Sequence, residues 1–266
     1  MQSNGLIQLA RAVAKYADVV IVGPEQPMSA TALALTFHKP LRVNKVRRDE
    51  FLCYAISGSP GDCVMIGVNK ILPRKPDLVV SGINIGDNDT FQDILASGTV
   101  AAAIEAVISG IPAIAFSLVV DQESVFALEY DHPDFSNAAV FAGEVARDVL
   151  LNGMPAGAEL LNVNFPADVK LSTEVVITSV GRRKYADKVM VRNDPRGRPY
   201  YWLYGEVLPR FEKGTDAEAV LTRGKVSVSP VVLGLTGRPT AALEQLRDRV
   251  TSRVRAKARR PGITDK

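Results

Sequence analysis

Three short stretches of this 266-residue chain gather side chains suited to phosphate and hard-cation chemistry. Ser29 lies in the turn-rich loop Pro24-Glu-Gln-Pro-Met-Ser-Ala30. Ser81 to Asp89 reads Ser-Gly-Ile-Asn-Ile-Gly-Asp-Asn-Asp. Ser97-Gly98-Thr99 stands ahead of an alanine-rich helical pattern. Hydroxyl and amide oxygens are hard ligands that suit Mg2+ or Mn2+ better than a soft metal. A helix that opens at Ser97-Gly98-Thr99 offers unpaired N–H groups and the positive end of its dipole to an anion. Gly98 lets the backbone come close to that anion. Plainer readings stand beside these. Ser97 or Thr99 can be a simple N-cap, worth about 1 kcal/mol, and Ser81-Gly82 can be the turn that ends a strand.

Other chemistries find less support. His38 and His132 are the only histidines, and neither stands at a metal-like spacing from another His or Cys. The sequence has no Gly-x-Ser-x-Gly, no Gly-x-Gly-x-x-Gly and no Walker A lysine motif. Cys53 and Cys63 form no Cys-x-x-Cys pair and read as reduced core thiols.

The elements that must hold the three stretches follow from periodicity. Leu6, Ile7, Leu9, Ala10, Val13 and Ala14 mark one face of a helix that feeds the short apolar run Asp18 to Gly23. Residues 37–55 read as short antiparallel strands, and Asp62 reads as the cap of a helix to Asn69. Pro76–Asn84, Ile111–Ser117 and Leu160–Phe165 read as buried strands, with helices over Val100–Ser109 and about Ser136–Leu151 between them. This strand–helix alternation predicts an α/β fold, a Rossmann-like three-layer sandwich with a mostly parallel sheet. In such a sheet the three stretches project from one edge, the carboxyl ends of the strands. A helix feeding a strand is the second half of a βαβ unit, so a strand is expected ahead of Met1. Without it a groove of unpaired backbone groups is expected.

Past Glu174 the pattern changes. Asn193-Asp-Pro-Arg-Gly197, flanked by apolar and aromatic runs, predicts a long β-hairpin. Val226–Pro230 reads as a last strand, and Ala241 to about Ala258 as a helix with an apolar seam of Leu243, Leu246, Val250 and Val254. We read residues 1–175 as a catalytic core. Residues 176–266 are then a hairpin arm, closing strand and terminal helix, used for oligomerisation and not an independent domain.

Composition sets the class. Apolar residues make up 47% of the chain and charged ones 23%, which excludes disorder as the main state. Thirty-two basic against 29 acidic residues leave a net charge of +3, too small to argue for nucleic acid. A basic tail from Arg247 to Arg260 is the one feature in favour of it. No apolar run is long enough to span a membrane and no secretory leader is recognised, so a soluble cytoplasmic protein is expected.

Several motifs together resemble one family. Asp77-Leu-Val-Val-Ser-Gly-Ile-Asn-Ile-Gly-Asp-Asn88 and Ser97-Gly-Thr-Val-Ala-Ala-Ala103 are similar to the signature of the SurE survival-protein nucleotidases. Val22-Gly-Pro-Glu25, Met28-Ser-Ala30, Lys39-Pro-Leu-Arg-Val43 and Gly58-Ser-Pro-Gly-Asp-Cys63 follow the family's order. So do Arg182-Arg-Lys-Tyr185, Tyr200-Tyr-Trp202, Gly205-Glu206, Thr215-Asp216 and Val226-Ser-Val-Ser-Pro230.

The resemblance implies a phosphatase, dependent on one divalent metal ion (Mg2+ or Mn2+), that releases phosphate from nucleoside 5′- and 3′-monophosphates. It implies Ser29 and Asn84 as metal ligands, Asn84 and Ser97 as catalytic residues, and Ser97, Gly98 and Thr99 as the phosphate site. It also implies homodimers or homotetramers that exchange C-terminal elements. The family's metal further takes two adjacent aspartates from an Asn-Asp-Asp-Gly loop, and Gln2-Ser-Asn-Gly5 resembles the segment just after that loop. We therefore expect a chain that starts inside its domain, through an internal methionine or a truncation, and whose turnover is lost or much reduced. Asp87 or Asp89 is the available substitute. The alternative reading is a non-catalytic nucleotide or phosphate binder that assembles through its C-terminal part.

Overall fold

The computed structural model describes residues 3–120 and 133–258. His132, Arg259 and Arg260 lie outside them. The chain forms two compact units, Met1–Val232 and Leu233–Lys266.

In the first unit, β4 (Val79–Ile85), β5 (Ala113–Leu118) and β6 (Leu160–Phe165) run parallel. β10 (Val226–Val231) joins β6 antiparallel, and β7 (Val175–Ile177) closes that sheet in the order β4-β5-β6-β10-β7. Every residue of β5 and β6 is buried, the pattern of strands covered on both faces. Phe116 and Phe165 stack across this layer with ring centroids 6.1 Å apart.

A second sheet has the order β1 (Ile21–Pro24), β3 (Phe51–Ile56), β2 (Val43–Arg48). The expected single sheet is therefore two. Among the described residues, β1 and β4 each have a strand partner on one side only. Helix α1 (Asn4–Val13) spans the junction. Leu9 and Val13 pack into the main core with Ile83 and Phe116, while Ile7 and Ala10 pack on Ile21 and Cys53 of the second sheet. Gly5 has no room for a side chain, since a Cβ there would lie 2.2 Å from the carbonyl oxygen of Ile83.

The remaining helices follow local rules. Helix α2 (Pro60–Ile66) opens with a capping box: Ser59 Oγ accepts from the Asp62 N–H and Asp62 accepts from the Ser59 N–H. The expected cap was Asp62, and the true N-cap lies three residues earlier. Helix α4 (Gly98–Ile108) is alanine-rich, and α5 (Ser136–Asn152) buries Ala138, Ala139, Ala142, Gly143 and Ala146. Small residues let α5 sit close to α1, where a Cβ on Gly143 would meet Ala12 at 3.1 Å. Helix α3 (Thr90–Ala96) was not anticipated. Ser81 and Gly82 lie within β4, so the turn reading fails there.

The hairpin, β8 (Tyr185–Asn193) and β9 (Pro199–Val207), pairs Asn193 with Pro199 as the turn motif requires. Val189, Val191, Tyr201, Trp202 and Leu203 are exposed on it. In the second unit, helix α6 (Ala241–Ala258) exposes Leu243, Leu246, Val250 and Val254. Among the described residues no single helix is long and apolar enough to cross a membrane.

Candidate functional site

Ser97 sits between two helices. Its N–H donates to the Asp93 carbonyl that ends α3 (2.8 Å), and its hydroxyl accepts from the Val100 N–H in the first turn of α4 (3.2 Å). The plain N-cap reading is thus correct, and it leaves the phosphate reading intact. Accepting one bond leaves the Ser97 hydroxyl proton to be donated. The N–H groups of Gly98 and Thr99 have no acceptor inside their own helix by construction. No acidic side chain stands in the first turn of α4 to compete with an anion.

The loop that carries Ser29 closes on this helix start. Ala32 N–H donates to the Ala96 carbonyl (2.9 Å). A Cβ on Gly98 would lie 3.0 Å from Pro60 Cγ and 3.1 Å from both Met28 O and Thr31 Oγ1. Three segments therefore meet at Gly98, and only a hydrogen fits between them. The Thr31 hydroxyl is buried there without a hydrogen-bond partner. Sequence reasoning missed Thr31, whose signal was its place two residues after Ser29. Ser29 itself is exposed on the loop.

Asn84 lies near the carboxyl end of β4, level with Ser117 of β5. Its Nδ2 donates to the Gly86 carbonyl (2.7 Å), which leaves Oδ1 as the atom that can face a ligand. The next residues are pinned to the main sheet. Asn88 N–H donates to Asn164 Oδ1 (2.8 Å), Asn88 Nδ2 to Ser117 Oγ (2.6 Å), and Asn162 Nδ2 to the Asn88 carbonyl (2.8 Å).

Asp87 and Asp89, the substitutes considered for a metal site, face a different partner. Lys184, 3% exposed, places its ammonium on Asp87 and within 3.5 Å of both Asp89 and Asp93. Lys184 is thus buried, whereas its neighbours Arg182 and Arg183 are exposed. Burial first, and the charge of Asp87 next, push Asp89 up to about 9, against the pull of Lys184. Burial also pushes Asp93 up to about 6. Burial alone would lower the Lys184 ammonium, but the three carboxylates outweigh it and hold it above its ordinary value.

The donor set for a divalent ion is therefore poor. Ser29 and Asn84 are neutral, and the neighbouring carboxylates are directed at a lysine. Among the described residues no group of three His, Cys, Asp or Glu could hold a metal. Sites for Mg2+ ordinarily include one or two carboxylates. The residues present do not fit a divalent ion on their own.

A mostly parallel sheet flanked by helices places the first unit among the α/β proteins. Residues 1–187 match the family described as Survival protein SurE, and the chain belongs to that family. Similar proteins include one from Thermofilum pendens, 43% identical over 232 residues, which is 87% of this chain and 86% of that protein. Another, from Methanocella arvoryzae, is 40% identical over 247 residues, covering 92% of this chain and 93% of that one. Both carry the name 5′-nucleotidase SurE. The crystal structure of the SurE protein from Aquifex aeolicus superposes with a TM-score of 0.75 at 35% identity, covering 94% of each chain.

Proposed function

We propose that this chain is a phosphomonoesterase of nucleoside 5′- and 3′-monophosphates, with the phosphate held at the start of α4. The observation that carries this reading is the convergence at Gly98. There the loop of Ser29, the Pro60 turn and the first turn of α4 pack together, with the unpartnered Thr31 hydroxyl buried among them. Hydrolysis breaks the ester P–O bond. Water supplies the new oxygen, and the nucleoside hydroxyl takes a proton. Negative charge on the non-bridging oxygens is what the Gly98 and Thr99 N–H groups and the Ser97 hydroxyl stabilise. Asn84 Oδ1 and Ser29 add two neutral oxygens on the same rim. A divalent ion such as Mg2+ or Mn2+ is the expected aid. With two neutral oxygens as its donors among the described residues, turnover and metal affinity should both be low.

The weak donor set favours a second reading, a nucleotide or phosphate binder without turnover. The test is release of inorganic phosphate from 5′-AMP, 5′-GMP and 3′-AMP, with and without Mg2+ or Mn2+, beside calorimetric binding of the same nucleotides. Phosphate release supports the enzyme. Binding without release supports the binder, and neither would reject both.

The exposed apolar side chains of the hairpin and of α6 support assembly into a homodimer or homotetramer. Free, buried Cys53 and Cys63 suit a reducing compartment such as the cytoplasm. Neither a membrane nor nucleic acid enters this reading.

A further inference from the structure

We propose that Lys184 is a positioning residue for the phosphate cradle, fixing the segment from Asp87 to Ser97 and through it the start of α4. The proposal rests on the assignment of Ser97, Gly98 and Thr99 as the phosphate site. Its geometry is a short relay. The Lys184 ammonium contacts Asp87 and stands 3.5 Å from Asp93, and the Asp93 carbonyl accepts the Ser97 N–H (2.8 Å). Two links therefore separate the lysine from the N-cap.

The hairpin root is stitched to the same segment at further points. Gln92 Oε1 accepts from the Lys184 and Tyr185 N–H groups (2.8 and 3.0 Å), and Phe91 N–H donates to the Gly181 carbonyl (2.8 Å). Asp216 accepts from Thr90 and Gly181 (3.0 and 2.8 Å).

Stability alone does not call for this arrangement. Even with Asp89 protonated, one lysine against Asp87 and Asp93 leaves surplus negative charge in a buried place. Both Asp89 oxygens and Asp93 Oδ2 lack a well-formed hydrogen bond there. An apolar contact between hairpin and α3 would avoid that desolvation cost. A charged clamp instead fixes direction: three acceptors from one loop and one short helix allow one placement of the ammonium, and hence of α3 relative to β8. The only covalent step from α3 to α4 is Ser97, so a turn of α3 would carry the N-cap with it.

The test uses the full chain and inorganic phosphate as probe. Lys184→Met keeps an unbranched side chain one heavy atom shorter and removes its charge, whereas Lys184→Arg keeps the charge. Amide hydrogen exchange at residues 97–100 and phosphate affinity are measured for each. The expected result is faster exchange at 97–100 and about tenfold weaker phosphate binding in K184M, since displacement of a binding group is felt steeply. Protection in β5 and β6 should stay unchanged, and K184R should restore most of the binding. Should K184M fail to fold, D93N carries the test, with the same loss of binding and of protection required. Unchanged exchange and binding in a folded K184M or D93N, or an equal loss in K184R, would overturn the proposal. Wild-type protein that binds no phosphate would reject the site assignment instead, while the exchange data still report whether Lys184 holds residues 97–100.

Discussion

Gly98→Ala is the sharpest perturbation of the site. The added methyl would stand 3.0 to 3.1 Å from Pro60 Cγ, Met28 O and Thr31 Oγ1. Ordinary carbon contacts begin a few tenths of an ångström farther out. Met28 O is backbone, and the Ala32-to-Ala96 hydrogen bond holds its loop to the end of α3 (2.9 Å), so the loop cannot simply swing away. Overpacking of this kind costs about 1–3 kcal/mol. Alanine is the better helix former by about 0.5–1 kcal/mol, which offsets part of it. The net cost is about 0 to 2.5 kcal/mol, at most roughly 10 °C in Tm for a unit of this size. Phosphate binding should weaken by about tenfold or more, because the methyl parts the donors that face the anion. Differential scanning calorimetry and isothermal titration with inorganic phosphate read the two effects. Gly234→Ala, where a Cβ meets nothing within 4 Å, is the control and should change neither. A G98A protein with wild-type Tm and phosphate affinity would refute the convergence on which the proposed function stands.

Further predictions concern charge, cap, metal and assembly. Folded Asp89 keeps its proton up to about pH 9, whereas the unfolded chain releases it near pH 4. Its contribution to stability is therefore whole below about pH 4 and is lost as pH rises toward 9. Asp89→Asn should flatten the fall in Tm between pH 6 and pH 9, a window above the Asp93 value of about 6. An unaltered slope would count against the buried, protonated acid. Ser97→Ala should cost about 1 kcal/mol from the lost cap. It should also cut phosphate affinity about tenfold or more, at the 1.5–3 kcal/mol of a hydrogen bond to a charged group. Mg2+ or Mn2+ titrated by calorimetry should bind only in the millimolar range, and micromolar binding would mean that a carboxylate reaches Ser29 and Asn84 after all. Replacing Trp202 and Leu203 by serine should lower the mass seen by light scattering, and an unchanged mass would remove the hairpin from the interface.

Some features were legible because one local rule decides them. The β5 and β6 segments are short, mostly apolar runs, interrupted by Ser117 in one and by Asn162 and Asn164 in the other, the pattern expected of strands covered on both faces. Ser97-Gly98-Thr99 before an alanine run is a helix start whatever lies around it. The hairpin announced itself through Asn193-Asp-Pro-Arg-Gly197. Other features depend on distant partners. Lys184 reads as the third member of a basic triplet, and its burial follows from carboxylates about 90 to 100 positions earlier. Asp87 and Asp89 look like metal ligands until that lysine is placed between them. Helix α3 is seven residues long, too short for its periodicity to stand out from the polar loop before it. The Ser59 cap was shifted because Asp62 satisfies the same preference at the third helical position.

The central claim is that an anion is held by the first turn of α4. The most direct measurement is the amide NMR spectrum during a titration with inorganic phosphate. The account predicts that the Gly98 and Thr99 amides shift first, saturate together and lose the response in G98A. Saturable shifts gathered elsewhere, with residues 97–100 unmoved, would contradict it.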